Sequence, residues 1–311
     1  MASEVFTIDF RVPGLTARVF TNDATFATSC SRLFYERPEP EAEPDVLYSV
    51  YVDRRVSLDR RHSVTLAPEA QQIVLVTSYY PSLLPALESD VLKRALDGMQ
   101  HLCPLRGGAV AWKGRALLVL GEYEDGRNLL VKALVDRGCL YLADSTAVLT
   151  PPERAVLPFP KSLALKRAHQ PLVARHRLGE AFRDLDRTTF RYLPPPEESP
   201  AGPQPIEALL FPVSAEEVGE AGIRPLGRGE ALDRLVAASY HIAARGPEIF
   251  PYLLSVAARA RSFAVGTHGL KRTTDRIFEQ ALGEVPPPVV PAGLPKAAAA
   301  PGGEIEEPSL A

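Results

Sequence analysis

Five short segments in the first 80 residues are rich in β-branched and aromatic residues, and several alternate apolar and polar positions. They are VFTIDF (5–10), LTARVFT (15–21), DVLYSVYVD (45–53), HSVTLAP (62–68) and QIVLVTS (72–78). Alternation with a period of two is typical of strands with one buried face. The pattern therefore predicts an antiparallel sheet. Apolar residues at helical spacing then predict a helix from about Leu83 to Leu102, ended by Pro104.

A different pattern begins at residue 116. The apolar run ALLVLG (116–121) is followed by the polar loop EYEDG, by RNLLVKALVDRG and by the second apolar run CLYLAD (139–144). Short, continuous apolar runs are typical of strands buried on both faces. The order predicts a right-handed βαβ unit with Gly138 capping its helix. We expect its two strands to be parallel neighbours, with Gly121 and Asp144 at the same sheet edge.

The rest of the chain predicts a strand at 207–213, helices at 227–246 and 247–261, a strand over SFAVGTHG and a helix at 270–282. From Val285 onward the chain is rich in Pro, Ala and Gly and lacks large apolar anchors, which predicts a disordered tail. We expect three parts. They are a β-rich domain ending in a helix (1–100), an α/β domain (101–284) and the tail (285–311).

Composition narrows the class of protein. The 311 residues are 46% hydrophobic with a net charge of −3, and this balance argues against nucleic acid or an anionic membrane as partner. No secretory leader is visible at MASEVFTIDF, and no run of about 18 apolar residues predicts a membrane span. The three cysteines form no Cys-x-x-Cys pair, which favours reduced thiols and a cytoplasmic protein. The six histidines lack metal-site spacing.

The loop between the two apolar runs has the glycine spacing of a phosphate loop, G-x-x-x-x-G-K-[ST]. Gly121 and Gly126 stand at the two glycine positions, but Arg127 replaces the lysine and Asn128 replaces the hydroxyl residue that binds Mg²⁺. Two glycines at this spacing also occur in ordinary tight turns. The spacing alone is therefore a weak indication of nucleotide binding.

The longer segment GGAVAWKGRALLVLGEYEDGRNLLVKALVDRGCLYLADSTAVLTP, continued by LPFPKSLALKR, resembles the core of HPr-kinase-like proteins. The resemblance covers about residues 100 to 280 and extends loosely over the N-terminal sheet. It implies an α/β, P-loop phosphotransferase-like core preceded by the β-rich domain. It also implies ATP and Mg²⁺ as cofactors and a small protein or peptide as partner, and it is compatible with a homo-oligomer. Asp144 matches the family's catalytic base and a metal ligand.

The chain departs from this family where the chemistry lies. Arg106 stands in place of the family's His, and Ser145 in place of a second acidic residue. Three loop carboxylates, Glu122, Glu124 and Asp125, would repel the nucleotide's phosphates. A like-charge pair about 4 Å apart costs roughly 1–4 kcal/mol, against about 0.3–2 kcal/mol from a helix N-terminus.

Two functions remain open. The favoured hypothesis is a degenerate kinase-like protein (a pseudokinase) with weak or no ATP binding, acting as a partner-binding scaffold or regulator. The alternative is an active ATP-dependent serine kinase of a small protein or peptide, in which Arg127 holds phosphate and Asp144 is the base.

Two further interpretations stay open for single residues. Asp144 could also be a turn-forming residue ahead of Ser145 and Thr146. Lys161, Lys166 and Arg167 could contact a phosphorylated or acidic partner, but a solvated basic edge is the favoured interpretation.

Overall fold

The structure is a computed structural model that describes most of the chain. The described residues are 4–34, 38–39, 42–55, 60–67, 72–121, 126–159, 161–166, 190–193, 200 and 202–287. They form a mixed α/β protein with a five-stranded sheet, an eight-stranded sheet and a separate pair of strands. The mixed α/β class predicted from the sequence is confirmed.

The N-terminal sheet contains all five predicted strands in the order β1-β2-β3-β4-β5. Their bounds are Phe6–Val12 (β1), Leu15–Thr21 (β2), Val46–Tyr51 (β3), His62–Ala67 (β4) and Ile73–Thr77 (β5). The prediction of a purely antiparallel sheet is wrong, because β2 and β3 pair in parallel. A helix between these two strands returns the chain to its starting side, which is the connection that parallel pairing requires.

That helix, α1 (Ala24–Leu33), is absent from the sequence prediction. Asp23 caps its start by accepting the backbone N–H of Phe26 at 2.8 Å, and Phe26, Cys30 and Leu33 bury one face. The helix α2 (Leu83–Gly98) is confirmed but ends four residues before the predicted Leu102. Pro104 does not end it, because this proline lies inside the next strand.

The larger sheet follows the path β10-β9-β6-β7-β13-β15-β14, with β8 paired to β6. Its strands are Cys103–Trp112 (β6), Arg115–Leu120 (β7), Leu140–Ala143 (β8), Thr146–Thr150 (β9), Ala155–Leu157 (β10), Gln204–Val213 (β13), Ile223–Pro225 (β14) and Arg261–Gly266 (β15). The separate pair comprises Leu163–Lys166 (β11) and Phe190–Leu193 (β12). Strands β7, β13 and β15 are parallel neighbours.

The two strands of the predicted βαβ unit run in the same direction but are not neighbours. Strand β6 lies between them and pairs antiparallel with both β7 and β8. The hairpin β6–β7 makes β6 the neighbour of β7. The crossover through α3 then places β8 on the other side of β6. Both strands still end at the same level of β6, because Leu120 lies opposite Gly107 and Ala143 opposite Ala109. The prediction of one shared edge is therefore confirmed.

The helices of this half are Arg127–Val135 (α3), Ala215–Val218 (α4), Arg228–Ala238 (α5), Ile242–Arg259 (α6) and Leu270–Ile277 (α7). Gly138 has a left-handed φ of 86° after α3, as predicted. The predicted helix 227–246 is interrupted after Ala238. The backbone of Ser239 and Tyr240 pairs there with β6, and the Tyr240 N–H donates to the Pro104 carbonyl at 3.2 Å.

Two large apolar cores flank the larger sheet. One is continuous with the interior of the N-terminal sheet and includes residues of α1, α2, α5 and α6. The other lies between the opposite face and the helices α3 and α7. Within the described residues, no helix combines the length and the apolar character needed to cross a membrane. The predicted tail from residue 288 and most of the Arg- and Pro-rich segment 168–204 lie outside the described residues.

Candidate functional site

Two glycines of β6 bring the elements of the candidate site close together. A Cβ on Gly108 would lie 2.6 Å from Cγ2 of Val131 on α3, and one on Gly107 would lie 2.5 Å from Cδ2 of Leu120. Such contacts are far shorter than packed carbon atoms tolerate. The glycine pair therefore lets α3 and β7 approach β6 closely, and this fixes the start of α3 beside the strand ends.

The predicted phosphate loop is described only at its two ends. Gly121 has φ 149° and Gly126 has φ 78°, both in the region that favours glycine. A Cβ on Gly126 would lie 2.8 Å from the side chain of Thr267, which follows β15. The acidic residues Glu122, Glu124 and Asp125 lie outside the described residues.

Arg127, at the lysine position of the motif, begins α3 and is buried. Its Nη1 donates to the carbonyl oxygen of Gly121 at 2.8 Å, and its Nε donates to Oδ1 of Asn128 at 3.1 Å. The guanidinium therefore joins the two ends of the loop. This contact uses donors that would otherwise point at a phosphate group.

Asn128, at the position of the metal-binding hydroxyl, is also fully engaged. Its Oδ1 accepts the hydrogen bond from Arg127, and its Nδ2 donates to the carbonyl of Ala164 at the second strand position of β11. The side chain is 2% exposed. Its carbonyl oxygen is the group that could have replaced a hydroxyl on Mg²⁺, and it faces a cation of the protein instead.

Asp144 lies between β8 and β9, where β6 changes its pairing partner. Its Oδ2 accepts the Ala164 N–H at 3.0 Å and the Lys161 ammonium at 3.2 Å. Its Oδ1 is buried and has no hydrogen-bond partner among the described residues. The alternative interpretation as a turn-forming residue does not describe this carboxylate, because its recorded partners are Lys161 and Ala164 rather than the adjacent turn.

Lys161 lies in the interior, so the interpretation as part of a solvated basic edge is wrong for this residue. Its side chain is 1% exposed, and Nζ lies 2.8 Å from Oε1 of Glu88 on α2. Burial favours the neutral amine, but the charges of Glu88 and Asp144 outweigh that effect and raise the pKa of Lys161 above its usual value. The amine is therefore held as a cation. The side chain of Lys166 and the whole of Arg167 lie outside the described residues.

Arg106, which replaces the family's histidine, contacts another part of the molecule. Its Nη2 donates to the Ala237 carbonyl at 3.0 Å, and its guanidinium lies 5.5 Å from the ring centroid of Tyr240. A cation at the C-terminal end of α5 satisfies carbonyl groups that the helix leaves unpaired. The contacts support a structural role for this side chain.

The predicted site residues thus meet in one continuous chain of polar contacts. It runs from the Gly121 carbonyl through Arg127, Asn128, Ala164, Asp144 and Lys161 to Glu88. Gly126 closes the loop at the start of α3. The sequence analysis missed Glu88 and Ala164. Neither carries a local signal, because Glu88 belongs to a helix of the N-terminal half and Ala164 contributes only its backbone.

The charges of this chain of contacts balance each other. Arg127 and Lys161 are cations, and Asp144 and Glu88 are their anionic counterparts. Within the described residues, no group of three or more His, Cys, Asp or Glu side chains could hold a metal ion. The residues at the motif's metal positions do not fit Mg²⁺, because Asn128 Oδ1 and Asp144 Oδ2 both accept from cationic side chains.

Comparison with known proteins adds no relative to this picture. A scan against protein-family models finds no match, and a search of curated proteins finds none either.

Proposed function

We propose that this chain is a divergent HPr-kinase-like protein that binds ATP weakly or not at all and serves as a partner-binding scaffold or regulator. The observation that carries the proposal is that the side chains of Arg127 and Asn128 are hydrogen-bonded within the protein. The side chains at the phosphate and metal positions bind each other, the Gly121 carbonyl and the Ala164 carbonyl. A nucleotide would have to break these buried contacts before it gained any of its own.

The charge around the loop supports the same proposal. The two cations of this chain of contacts, Arg127 and Lys161, already have carbonyl or carboxylate partners, so neither is left over for a triphosphate carrying about four negative charges. The loop sequence adds Glu122, Glu124 and Asp125. Their repulsion of phosphate is the largest unfavourable contribution, because charges in a partly closed site are poorly screened.

We infer the P-loop phosphotransferase-like core and the small protein or peptide partner from the resemblance of residues 100 to 280 to HPr-kinase-like proteins. A strand, a glycine-bounded loop, a helix and a second strand ending beside Asp144 are compatible with that core. A homo-oligomer is equally compatible. A scaffold role needs no catalysis, so it is consistent with a loop whose binding groups are engaged internally.

One observation favours the alternative of an active serine kinase. Asp144 Oδ1 is buried without a described hydrogen-bond partner, at the level of β6 where Gly121 also lies. A free carboxylate oxygen could accept the proton of a substrate hydroxyl. The paired Lys161 weighs against this alternative, because its ammonium already occupies the other oxygen of the carboxylate.

The test is calorimetric titration of ATP, with and without Mg²⁺, into the wild type and a repaired loop. The repaired protein carries Glu122→Ser, Glu124→Gly, Asp125→Gly, Arg127→Lys and Asn128→Ser. We expect a wild-type Kd above about 1 mM, and measurable binding after repair with most of the gain from the three carboxylates alone. A control with Asp97→Ser, Glu248→Ser and Glu279→Ser makes the same charge change at exposed positions outside the loop.

Micromolar ATP binding by the wild type would refute the degenerate-loop proposal and favour the kinase. A repaired loop that binds no nucleotide would remove the loop as the cause and leave only the resemblance in fold. Mass spectrometry of the protein with ATP and candidate peptides would detect any phosphoryl transfer by the alternative function.

A further inference from the structure

We propose that the Lys161 ammonium is the resident cation of this site and occupies the position beside Asp144 that a divalent metal ion would need. The inference rests on the proposed function, since it explains how the site remains stable without nucleotide and Mg²⁺. It assigns to Lys161 the role of a built-in counter-ion shared by Asp144 and Glu88. The site would then exclude divalent metal ions as long as this lysine is present.

The first support is the geometry of the ammonium. Nζ of Lys161 lies 2.8 Å from Oε1 of Glu88 and 3.2 Å from Oδ2 of Asp144. These two carboxylates come from different halves of the chain, on α2 and after β8. Two carboxylates held this close without a cation would repel each other strongly in a buried site. A lysine bound to both carboxylates offsets that repulsion.

The second support is that the lysine cannot easily leave. Its carbonyl accepts the Tyr141 hydroxyl at 2.8 Å. The next residue, Ser162, donates its N–H to the Leu33 carbonyl at 3.0 Å and its hydroxyl to the Arg32 carbonyl at 2.5 Å. The backbone around Lys161 is thus tied to β8 and to the end of α1. A metal ion would have to displace an ammonium whose backbone is fixed on both sides.

The third support is the ligand set that would remain for a metal ion. Divalent cations such as Mg²⁺ and Mn²⁺ take about six ligands, mostly oxygen atoms. Here Asp144 Oδ2 and Glu88 Oε1 contact the ammonium, and Asn128 Oδ1 accepts from Arg127. Asp144 Oδ1 is buried and has no described hydrogen-bond partner, and the same is true of the hydroxyl oxygens of Ser145 and Thr146. One carboxylate oxygen cannot hold a divalent ion tightly, but two carboxylates freed from lysine could.

The experiment uses Mn²⁺ as the probe, without nucleotide, and measures its binding by electron paramagnetic resonance and by its effect on the melting temperature. We expect the wild type to show no saturable Mn²⁺ binding up to about 1 mM, and Lys161→Met to bind at least about tenfold more tightly. Adding Asp144→Asn to Lys161→Met should abolish the new binding. Lys93→Met, on the exposed face of α2, is the matched control and should behave as the wild type.

Lys161→Met removes the cation that Asp144 and Glu88 share, so the variant should melt several degrees lower than the wild type. If it does not fold alone, refolding with Mn²⁺ is compared with refolding in NaCl at equal ionic strength. Recovery with Mn²⁺ only supports the proposal. The proposal is overturned if Lys161→Met folds but does not bind Mn²⁺. It is also overturned if the variant refolds no better with Mn²⁺ than with NaCl.

Saturable Mn²⁺ binding by the wild type that Asp144→Asn removes would also overturn the proposal. The result would leave the degenerate loop untouched, since no nucleotide is present. Conversely, ATP binding by the wild type in the absence of metal would refute the proposed function while Lys161 kept its role. The two titrations therefore distinguish failure of one proposal from failure of the other.

Discussion

Two groups of polar residues, each built around a buried ionisable side chain, differ in whether that side chain is held charged or neutral. In the acid–amine group, Glu88, Asp144 and Lys161, the buried ammonium contacts both carboxylates. The histidine group of the N-terminal sheet, Asp53, His62 and Tyr80, avoids burying a charge on its imidazole. His62 is 2% exposed, and its Nδ1 accepts the Asp53 N–H at 3.0 Å.

The environments explain the difference. Lys161 contacts two carboxylates, whose attraction exceeds the cost of desolvation, so its pKa is raised. His62 has the Tyr80 ring against it, with ring centroids 5.8 Å apart, and the Asp53 carboxylate is bound by Arg55. Burial, helped by the charge of Arg60, therefore lowers the pKa of His62. An ionisable side chain stays charged in the interior only where opposite charges reach it directly.

The largest expected effect comes from removing one carboxylate of the acid–amine group. Asp144→Asn should reduce the free energy of unfolding by about 2–3 kcal/mol, because a charged hydrogen bond in the interior is lost. Glu88 keeps the amine paired, so the effect should be smaller than for an isolated buried pair. Urea unfolding measures the change. Asp97→Asn, at an exposed position of α2, is the control.

If Asp144→Asn lowers the free energy of unfolding by less than about 0.5 kcal/mol, the carboxylate is not needed to hold the buried cation. That result would contradict the contrast between the acid–amine group and the histidine group. The double variant Asp144→Asn with Glu88→Gln sharpens the test. It leaves Lys161 buried without any recorded anionic partner, and should be less stable than the sum of the single variants predicts.

The next effect concerns how the candidate site is positioned rather than its charge. Gly108→Ala should destabilise the protein by about 1–3 kcal/mol, because its Cβ would lie 2.6 Å from Cγ2 of Val131 and push α3 away from β6. Gly229→Ala is the control on α5, where a Cβ meets no atom within 4 Å. That control should be stabilising by about 0.5–1 kcal/mol. Thermal and urea unfolding of both variants measure the opposite signs. Equal effects would exclude close packing as the reason for the glycine.

The acid–amine group also shows how far the sequence predicts this protein. Gly121, Gly126, Arg127, Asn128 and Asp144 were predicted from loop spacing and resemblance, and the structure brings them together. Glu88 was not predicted, since its contact with Lys161 joins positions 73 residues apart in the chain. Lys161 was assigned to the surface because a lysine near other basic residues is usually solvated. Only tertiary contacts reveal that it is buried.

The fold shows the same division between local and distant information. Strands β1 to β5 were predicted closely because one-sided burial imposes a period of two on their residues. The helix α1 was missed because ATFATSCSRL is rich in Thr and Ser, which have low helix propensity. Its stability comes from packing of Phe26, Cys30 and Leu33. The position of β6 between β7 and β8 depends on the β6–β7 hairpin. The pattern of apolar runs alone does not predict that hairpin.

A smaller effect is expected where the N-terminal sheet meets α1. Asp23 Oδ1 accepts the Phe26 N–H at 2.8 Å and the Tyr80 hydroxyl at 3.1 Å. Asp23→Ala removes the acceptor of both hydrogen bonds and should cost about 1–2 kcal/mol, as expected for loss of an N-cap. Asp23→Asn retains an acceptor oxygen and should recover most of that loss. If both variants lose the same stability, the carboxylate charge and not the cap would be responsible.

The smallest effect is the pH dependence that His62 contributes. Its lowered pKa means that the unfolded chain binds a proton below about pH 6.5 while the folded chain does not. Stability due to this residue is therefore intact above that pH and falls as the pH drops toward the folded pKa, by at most about 1.4 kcal/mol per unit. The buried Nε2 has no described hydrogen-bond partner, so no described acceptor would bind its proton in a charged ring.

His62→Gln should remove this part of the slope, because glutamine can still accept the Asp53 N–H but does not titrate. Urea unfolding of both proteins between about pH 5 and 7 gives the two slopes. The control is His101→Gln, at an exposed position, which leaves the Asp53–His62 contact unchanged and should retain the wild-type contribution of His62. A wild-type slope that His62→Gln does not reduce would mean that the imidazole titrates alike in both states. His62 would then no longer contrast with Lys161, because its burial would not lower its pKa.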